Sequence, residues 1–120
     1  ISILEQYSNY HSAYLINVAA NESCPAYILE KLSDISYVKI YIASNPNCPI
    51  HILEKLCFEN CDDFLIKIYV VKNKNCTYDI LKKLYKDINY SYKAHNHKIK
   101  RATILKYIKE HPNWKLNEFE

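Results

Sequence analysis

A twelve-residue stretch occurs three times in this chain, and that recurrence limits the possible folds more than any other feature. The central copy reads Asn45-Pro46-Asn47-Cys48-Pro49-Ile50-His51-Ile52-Leu53-Glu54-Lys55-Leu56. Upstream stands Asn21-Glu22-Ser23-Cys24-Pro25-Ala26-Tyr27-Ile28-Leu29-Glu30-Lys31-Leu32, and downstream Asn73-Lys74-Asn75-Cys76-Thr77-Tyr78-Asp79-Ile80-Leu81-Lys82-Lys83-Leu84. A further form of the core is Ile3-Leu4-Glu5-Gln6, so the core leucines recur as Leu4, Leu29, Leu53 and Leu81. Tandem similarity at such a period marks stacked supersecondary units, none of which buries its apolar face alone. Residues 111–120 lie over residues 45–54 position by position. The step from Asn73 to His111 is longer than the steps before it, so the third unit carries an insertion. The expected fold is all-α. It is an α-solenoid of about four stacked two-helix units with a period of roughly 24–28 residues, the last unit truncated. Residues 1–120 form one repeat domain, expected to be a fragment of a longer solenoid whose open end units fray or self-associate.

Each unit reads as two short helices. Cys48 takes the N-cap and Pro49 the first helical position, where a missing N–H costs nothing. Ile52, Leu53 and Leu56 then share one helical face. The second helix covers residues 37–44, echoed at 65–72 and 15–20. Asn21, Asn45 and Asn73 follow these segments. The chain has no Gly, so Asn is read as the left-handed stop. The absence of Gly also excludes glycine-rich phosphate loops and dinucleotide fingerprints. Helices of about two turns are marginal alone in water, so Leu29, Leu53 and Leu81 are predicted to pack on Val38, Ile66 and Ile99. The polar and aromatic insertion at 85–98 is predicted to place an exposed loop or irregular helix extension around 89–97.

These units resemble the leucine-rich repeat variant family, whose pattern runs close to Asn-Pro-x-[Thr/Cys]-Pro-x-x-x-Leu-x-x-Leu, then Val-Arg-x-x-[Val/Ile]-Ala. Asn45-Pro46-Asn47-Cys48-Pro49 with Leu53 and Leu56 fits the first half. Val38-Lys39-Ile40-Tyr41-Ile42-Ala43 fits the second, with Lys in place of Arg. The resemblance implies a right-handed superhelix in which α-helices alternate with tighter 3₁₀-type helices, and it implies no particular activity. Glu22 and Lys74 stand where the first Pro belongs, and the stretched units are closer to HEAT-like helix pairs.

Charge is distributed unevenly. Residues 1–60 hold three basic against six acidic residues, a net of −3, and residues 61–120 thirteen against seven, a net of +6. Within 66–109 the net is +10, interleaved with Tyr69, Tyr78, Tyr85, Tyr90, Tyr92 and Tyr107. A basic face with stacking aromatics suits a polyanion such as nucleic acid. Its candidate ligands are Lys67, Lys72, Lys74, Lys82, Lys83, Lys98, Lys100 and Arg101. The competing reading is a solvated Lys-rich face, since only Arg101 has the bidentate fork that suits phosphate. Lys39, Lys67 and Lys100 are read as one repeat position, a surface ladder that can pair with Asp34 and Asp62.

The five cysteines are Cys24, Cys48, Cys57, Cys61 and Cys76. An odd number without a secretory signal points to free thiols in a reducing compartment, hence a cytoplasmic location. Cys24, Cys48 and Cys76 are read as capping or half-buried thiols. Cys57 and Cys61 could join His95, His97 or His111 around a metal, but the spacing fits no standard zinc pattern. A Cys–His nucleophile pair lacks an identifiable orienting group. No apolar run spans a bilayer. The leading function is therefore a non-enzymatic scaffold for another protein, without cofactor or small-molecule substrate. Nucleic-acid binding through 66–109 is the alternative. An enzyme of the helical-repeat DNA glycosylase kind is a third class, by analogy of architecture.

Overall fold

The repeat leucines are the centre of the structure. A computed structural model describes the backbone of residues 3–59, 63–90 and 98–115, and the side chains of residues 12–59, 63–88 and 100–114. Among these residues all regular structure is helical: α1 Ile3–Ala20, α2 Ala26–Leu32, a 3₁₀ turn Ser36–Val38, α3 Lys39–Ser44, α4 Ile50–Glu59, α5 Phe64–Lys72, α6 Tyr78–Tyr90, α7 Lys98–Glu110 and α8 Pro112–Lys115. Leu29, Leu53 and Leu81 are fully buried, as are Val38, Val70, Ile104 and Ile108. Ile66 is buried with them, whereas the side chain of Ile99 lies outside the described residues.

Alternate helices pack in succession. α1 lies on α3, α3 on α5, and α5 on α7. The others fill the second row: α2 against α3, α4 against α3 and α5, and α6 against α7 and α8. The outline measures 56 × 32 × 18 Å with a radius of gyration of 15.9 Å. That exceeds the roughly 13 Å of a spherical 100-residue domain, so the chain is elongated.

The period lengthens along the chain, and the helices lengthen with it. Asn45 stands 24 residues after Asn21, Asn73 stands 28 residues after Asn45, and His111 stands 38 residues after Asn73. α2 has 7 residues, α4 10 and α6 13. In the other row α5 has 9 and α7 13. The first part of the insertion is therefore helical: α6 runs on to Tyr90, with Ile88 buried and Tyr85 against Trp114 at 5.1 Å between ring centroids. Of residues 89–97, where an exposed loop or irregular helix extension is predicted, Asn89 and Tyr90 continue α6, and 91–97 lie outside the described residues, as do the chain ends. The first unit also departs from the two-helix expectation, because α1 runs unbroken through both segments.

The asparagines overturn the predicted left-handed stop. Asn45 and Asn73 are extended, with φ/ψ of −75/126° and −71/127°, and no described residue has a positive φ. Their side chains are buried and join one unit to the next. Asn45 Nδ2 donates to the carbonyls of Ala19 (2.7 Å) and Asn21 (2.9 Å). Asn73 Nδ2 repeats this on Ala43 (2.8 Å) and Asn45 (2.9 Å). His111 takes the next rung, with Nε2 on the Asn73 carbonyl at 2.9 Å. His111 Nδ1 accepts from the Asn113 N–H, as Oδ1 of Asn45 and Asn73 accepts from Asn47 and Asn75, so Nε2 carries the proton.

A second ladder runs beside the first. Asn47 Nδ2 donates to the Glu22 and Cys24 carbonyls, Asn75 to those of Pro46 and Cys48, and Asn113 to that of Cys76. The Asn-x-Asn pair is thus a stacking device between successive units, and it satisfies carbonyls that burial would otherwise leave costly.

The capping expectation shifts by one residue. Pro25 is extended (φ/ψ −63/149°) and is itself the N-cap of α2, its carbonyl accepting from Ile28 and Leu29. The Pro49 carbonyl receives the same pair of bonds from Ile52 and Leu53. Where the third copy has Thr77, the hydroxyl caps the Ile80 N–H at 3.3 Å. The cysteines before these residues are buried, and their thiols point at the next carbonyl, 3.7 Å away for Cys24 and Cys48.

Candidate functional site

With the ladder residues fixing the register, each exposed column can be read across units. Tyr41, Tyr69 and Tyr107 each stand four residues before a ladder residue (Asn45, Asn73, His111). One turn earlier, on the same helical faces, are Tyr37, Leu65 and Thr103. Tyr37 is 43% exposed, Tyr41 37% and Leu65 48%, while Tyr69 and Tyr107 are half-buried. α3, α5 and α7 pack side by side, so Tyr41, Tyr69 and Tyr107 stand in one column across them, with Tyr37 and Leu65 one turn earlier. One cation holds to this column: Lys72 Nζ lies 4.7 Å from the Tyr107 ring centroid. Lys100 Nζ lies 5.9 Å from the ring centroid of Phe64, which stands outside these positions and packs against the core. Tyr69 and Tyr107 are visible in the sequence as aromatics of the basic region. Tyr37, Tyr41 and Leu65 are not, because the column emerges only once the register of α7 is known.

The structure divides the eight basic candidates. Lys72, Lys100 and Arg101 belong to α5 and α7; Lys82 and Lys83 belong to α6, in the other row. Lys83 Nζ lies 4.2 Å from the Phe58 centroid and Lys82 Nζ 5.8 Å from that of Tyr78. Lys74 is exposed in the turn before α6, and the side chain of Lys98 lies outside the described residues.

Lys67 is a correction. It is 7% exposed, and its ammonium donates to the Cys57 carbonyl in the last turn of α4, beside the Phe58 ring. A cation there satisfies an orphan carbonyl at the negative end of the helix. Lys67→Ala is expected to cost about 1–3 kcal/mol in urea unfolding, the cost of an orphaned buried carbonyl.

The surface ladder of Lys39, Lys67 and Lys100 is corrected as well. Lys39 and Lys67 stand six residues before their ladder asparagines, and the residue six before His111 is Leu105. Asp34 pairs with Lys55 of the next unit at 2.7 Å, and Lys55 also donates to the buried Ser33 hydroxyl at 3.1 Å. The hydrogen bond and charge of Lys55 lower the Asp34 pKa, a solvent-exposed effect. Asp62 lies outside the described residues.

The four described thiols are buried. Burial pushes Cys48, Cys57 and Cys76 up to about 12 and raises Cys24 as well. Protonated thiols are poor nucleophiles and poor metal ligands. Of the metal candidates, His111 has both ring nitrogens engaged in the ladder, and Cys61, His95 and His97 lie outside the described residues. Among the described residues no group of three His, Cys, Asp or Glu side chains is placed to hold a metal ion. Nor is any helix of the described residues long and apolar enough to cross a membrane. No protein-family model matches the chain, and no curated protein or solved structure matches it.

Proposed function

We propose that the chain is an α-solenoid of the leucine-rich repeat variant kind, a non-enzymatic scaffold that binds another protein through the α3–α5–α7 face. The observation that carries this reading is the stripe of Tyr37, Tyr41, Leu65, Tyr69 and Tyr107. Contiguous exposed aromatic surface marks interaction sites, and Tyr supplies a large, rigid contact area at low entropic cost. A photo-crosslinking side chain placed at Tyr41 or Leu65 is expected to capture a protein partner. The same probe at Glu54, exposed on α4 in the other row, is expected to capture none. Equal capture from both rows would overturn the reading.

Lys72 over Tyr107 of that stripe, with Lys100 over Phe64 on the neighbouring helix, favours nucleic acid as the second reading. Five or so phosphate contacts there would give a log–log salt slope of about −3.5 on single strands or about −4.5 on duplex, read by fluorescence anisotropy. Lys72→Glu with Lys100→Glu would then weaken all sequences alike. No binding at micromolar protein in low salt removes this alternative.

A further inference from the structure

The outer face of the α3–α5–α7 row changes character along its length. Counted back from the ladder residue, the eighth, fifth, fourth and first positions face outward, while Val38, Ile42, Ile66 and Val70 between them are buried. At α3 and the turn before it, these outer positions hold Tyr37, Ile40, Tyr41 and Ser44, with no charge. On α5 the first cation enters, as Lys72 follows Leu65, Ile68 and Tyr69. On α7 Lys106 takes the fifth position beside Tyr107, and Lys100 stands one turn before the eighth. α3 has α1 on one side and α5 on the other, and α5 has α3 and α7. Neighbours on both sides therefore leave these positions open, so the same positions of α7 belong to the same outer face.

The excess of positive charge belongs to this row. α3, α5 and α7 carry eight basic residues against one acidic, Glu110, whereas α2, α4 and α6 carry five of each. Of the eight, Lys67 is turned inward. Asp63, just before α5, has its carboxylate on the Leu65 and Ile66 N–H groups. Lys72, Lys100 and Lys106 are exposed, and none of them is in an ion pair among the described residues. The face is thus aromatic and apolar at α3, and basic from the end of α5 across α7.

We infer that this face takes an acidic segment of another protein, with apolar side chains at one end over Tyr41 and Leu65 and carboxylates at the other beside Lys72, Lys100 and Lys106. The inference rests on the scaffold reading above and adds the chemistry of the partner. Apolar burial at the α3 end supplies affinity, and charge at the α7 end fixes the direction in which the segment lies. A uniformly charged strand matches this gradient poorly. Nucleic acid needs cations along its whole track and open ring faces for its bases. The open rings, Tyr37 and Tyr41, lie by α3, whose single cation, Lys39, is half-buried. The Tyr107 ring, nearer the exposed cations, has the Lys72 ammonium over it.

The test begins with random short peptides displayed on phage and selected on the immobilised 120-residue chain. A fluorescein-labelled copy of the most enriched peptide is then titrated by anisotropy. The expected selection is net acidic, with apolar residues gathered at one end and carboxylates at the other. Tyr41→Ala is expected to weaken the peptide about tenfold at any salt concentration. Lys72→Glu with Lys106→Glu is expected to weaken it about a hundredfold at low salt and less at high salt, where charge is screened. A peptide with lysines in place of its carboxylates is expected to bind that double variant better than the wild type. Tyr41, Lys72 and Lys106 are exposed, so the variants leave the core intact. Selection of neutral or basic peptides, no selection at all, or binding untouched by the variants would overturn the inference. So would a short single-stranded oligonucleotide that binds more tightly than the peptide and is lost with the same substitutions. Capture of a protein by the crosslinker at Tyr41 alongside any of these results removes the acidic partner and leaves the scaffold. Equal capture from both rows removes both.

Discussion

Asn73→Ala is expected to lower the unfolding free energy by about 3–5 kcal/mol, the largest effect of any single polar substitution in the chain. Asn73 is only 6% exposed and makes three ladder bonds, two donated to Ala43 and Asn45 and one accepted from Asn75. Its own carbonyl receives His111, so the rung also positions the unit behind it. Alanine leaves buried carbonyls on one side and a buried N–H on the other. Asn73→Asp should be worse than alanine, because it keeps the acceptor but brings a carboxylate up to two carbonyls in place of a donor. Asn73→His should recover part of the loss, since His111 already fills this register with one donating and one accepting nitrogen. Urea denaturation of the three variants gives the order. Loss of the ladder should also uncouple the units, so the transition should broaden as nearest-neighbour coupling weakens. Equal stability of the alanine and histidine variants would show that the rung contributes packing alone.

The second large effect is expected in alkali. Cys48, Cys57 and Cys76 are held protonated by burial, up to about 12, against an ordinary value of 9.0. The folded chain therefore binds more protons than the unfolded chain between these limits. The stability these thiols contribute is fully present below pH 9 and is lost as the pH rises through the folded value of about 12. Each thiol sets a slope of about 1.4 kcal/mol per pH unit, so three together should unfold the chain well before the upper limit. Thermal melts at intervals above pH 8 are the measurement. Replacing the three cysteines with alanine should flatten the decline. A wild-type slope no steeper than that of the triple variant would show that the thiols ionise freely in the folded chain.

The repeat alone determined the helical class, the core leucines and the place of the C-terminal copy. Those features depend on apolar residues recurring at a near-constant interval, and an apolar side chain has one destination. Leu29, Leu53 and Leu81 are all fully buried. The alignment of residues 111–120 with 45–54 also agrees with His111 standing on the Asn73 carbonyl.

Polar residues could not be placed in this way, because each has several uses and the neighbour selects among them. An asparagine after a helix can turn the backbone left-handed or offer its amide. Asn45 and Asn73 take the second course because carbonyls of the preceding unit lie within reach. A lysine defaults to solvent, yet Lys67 is drawn inward by the carbonyl at the end of α4. Lys100 lies beyond an insertion that part of α6 and α7 takes up, and the hydrogen bond of His111 to the Asn73 carbonyl sets the register of α7. The tyrosine stripe depends on that register and was equally hidden. Stacking brings together groups far apart in the chain, and hydrogen-bond partners at such separations leave no local signal in the residues that make them.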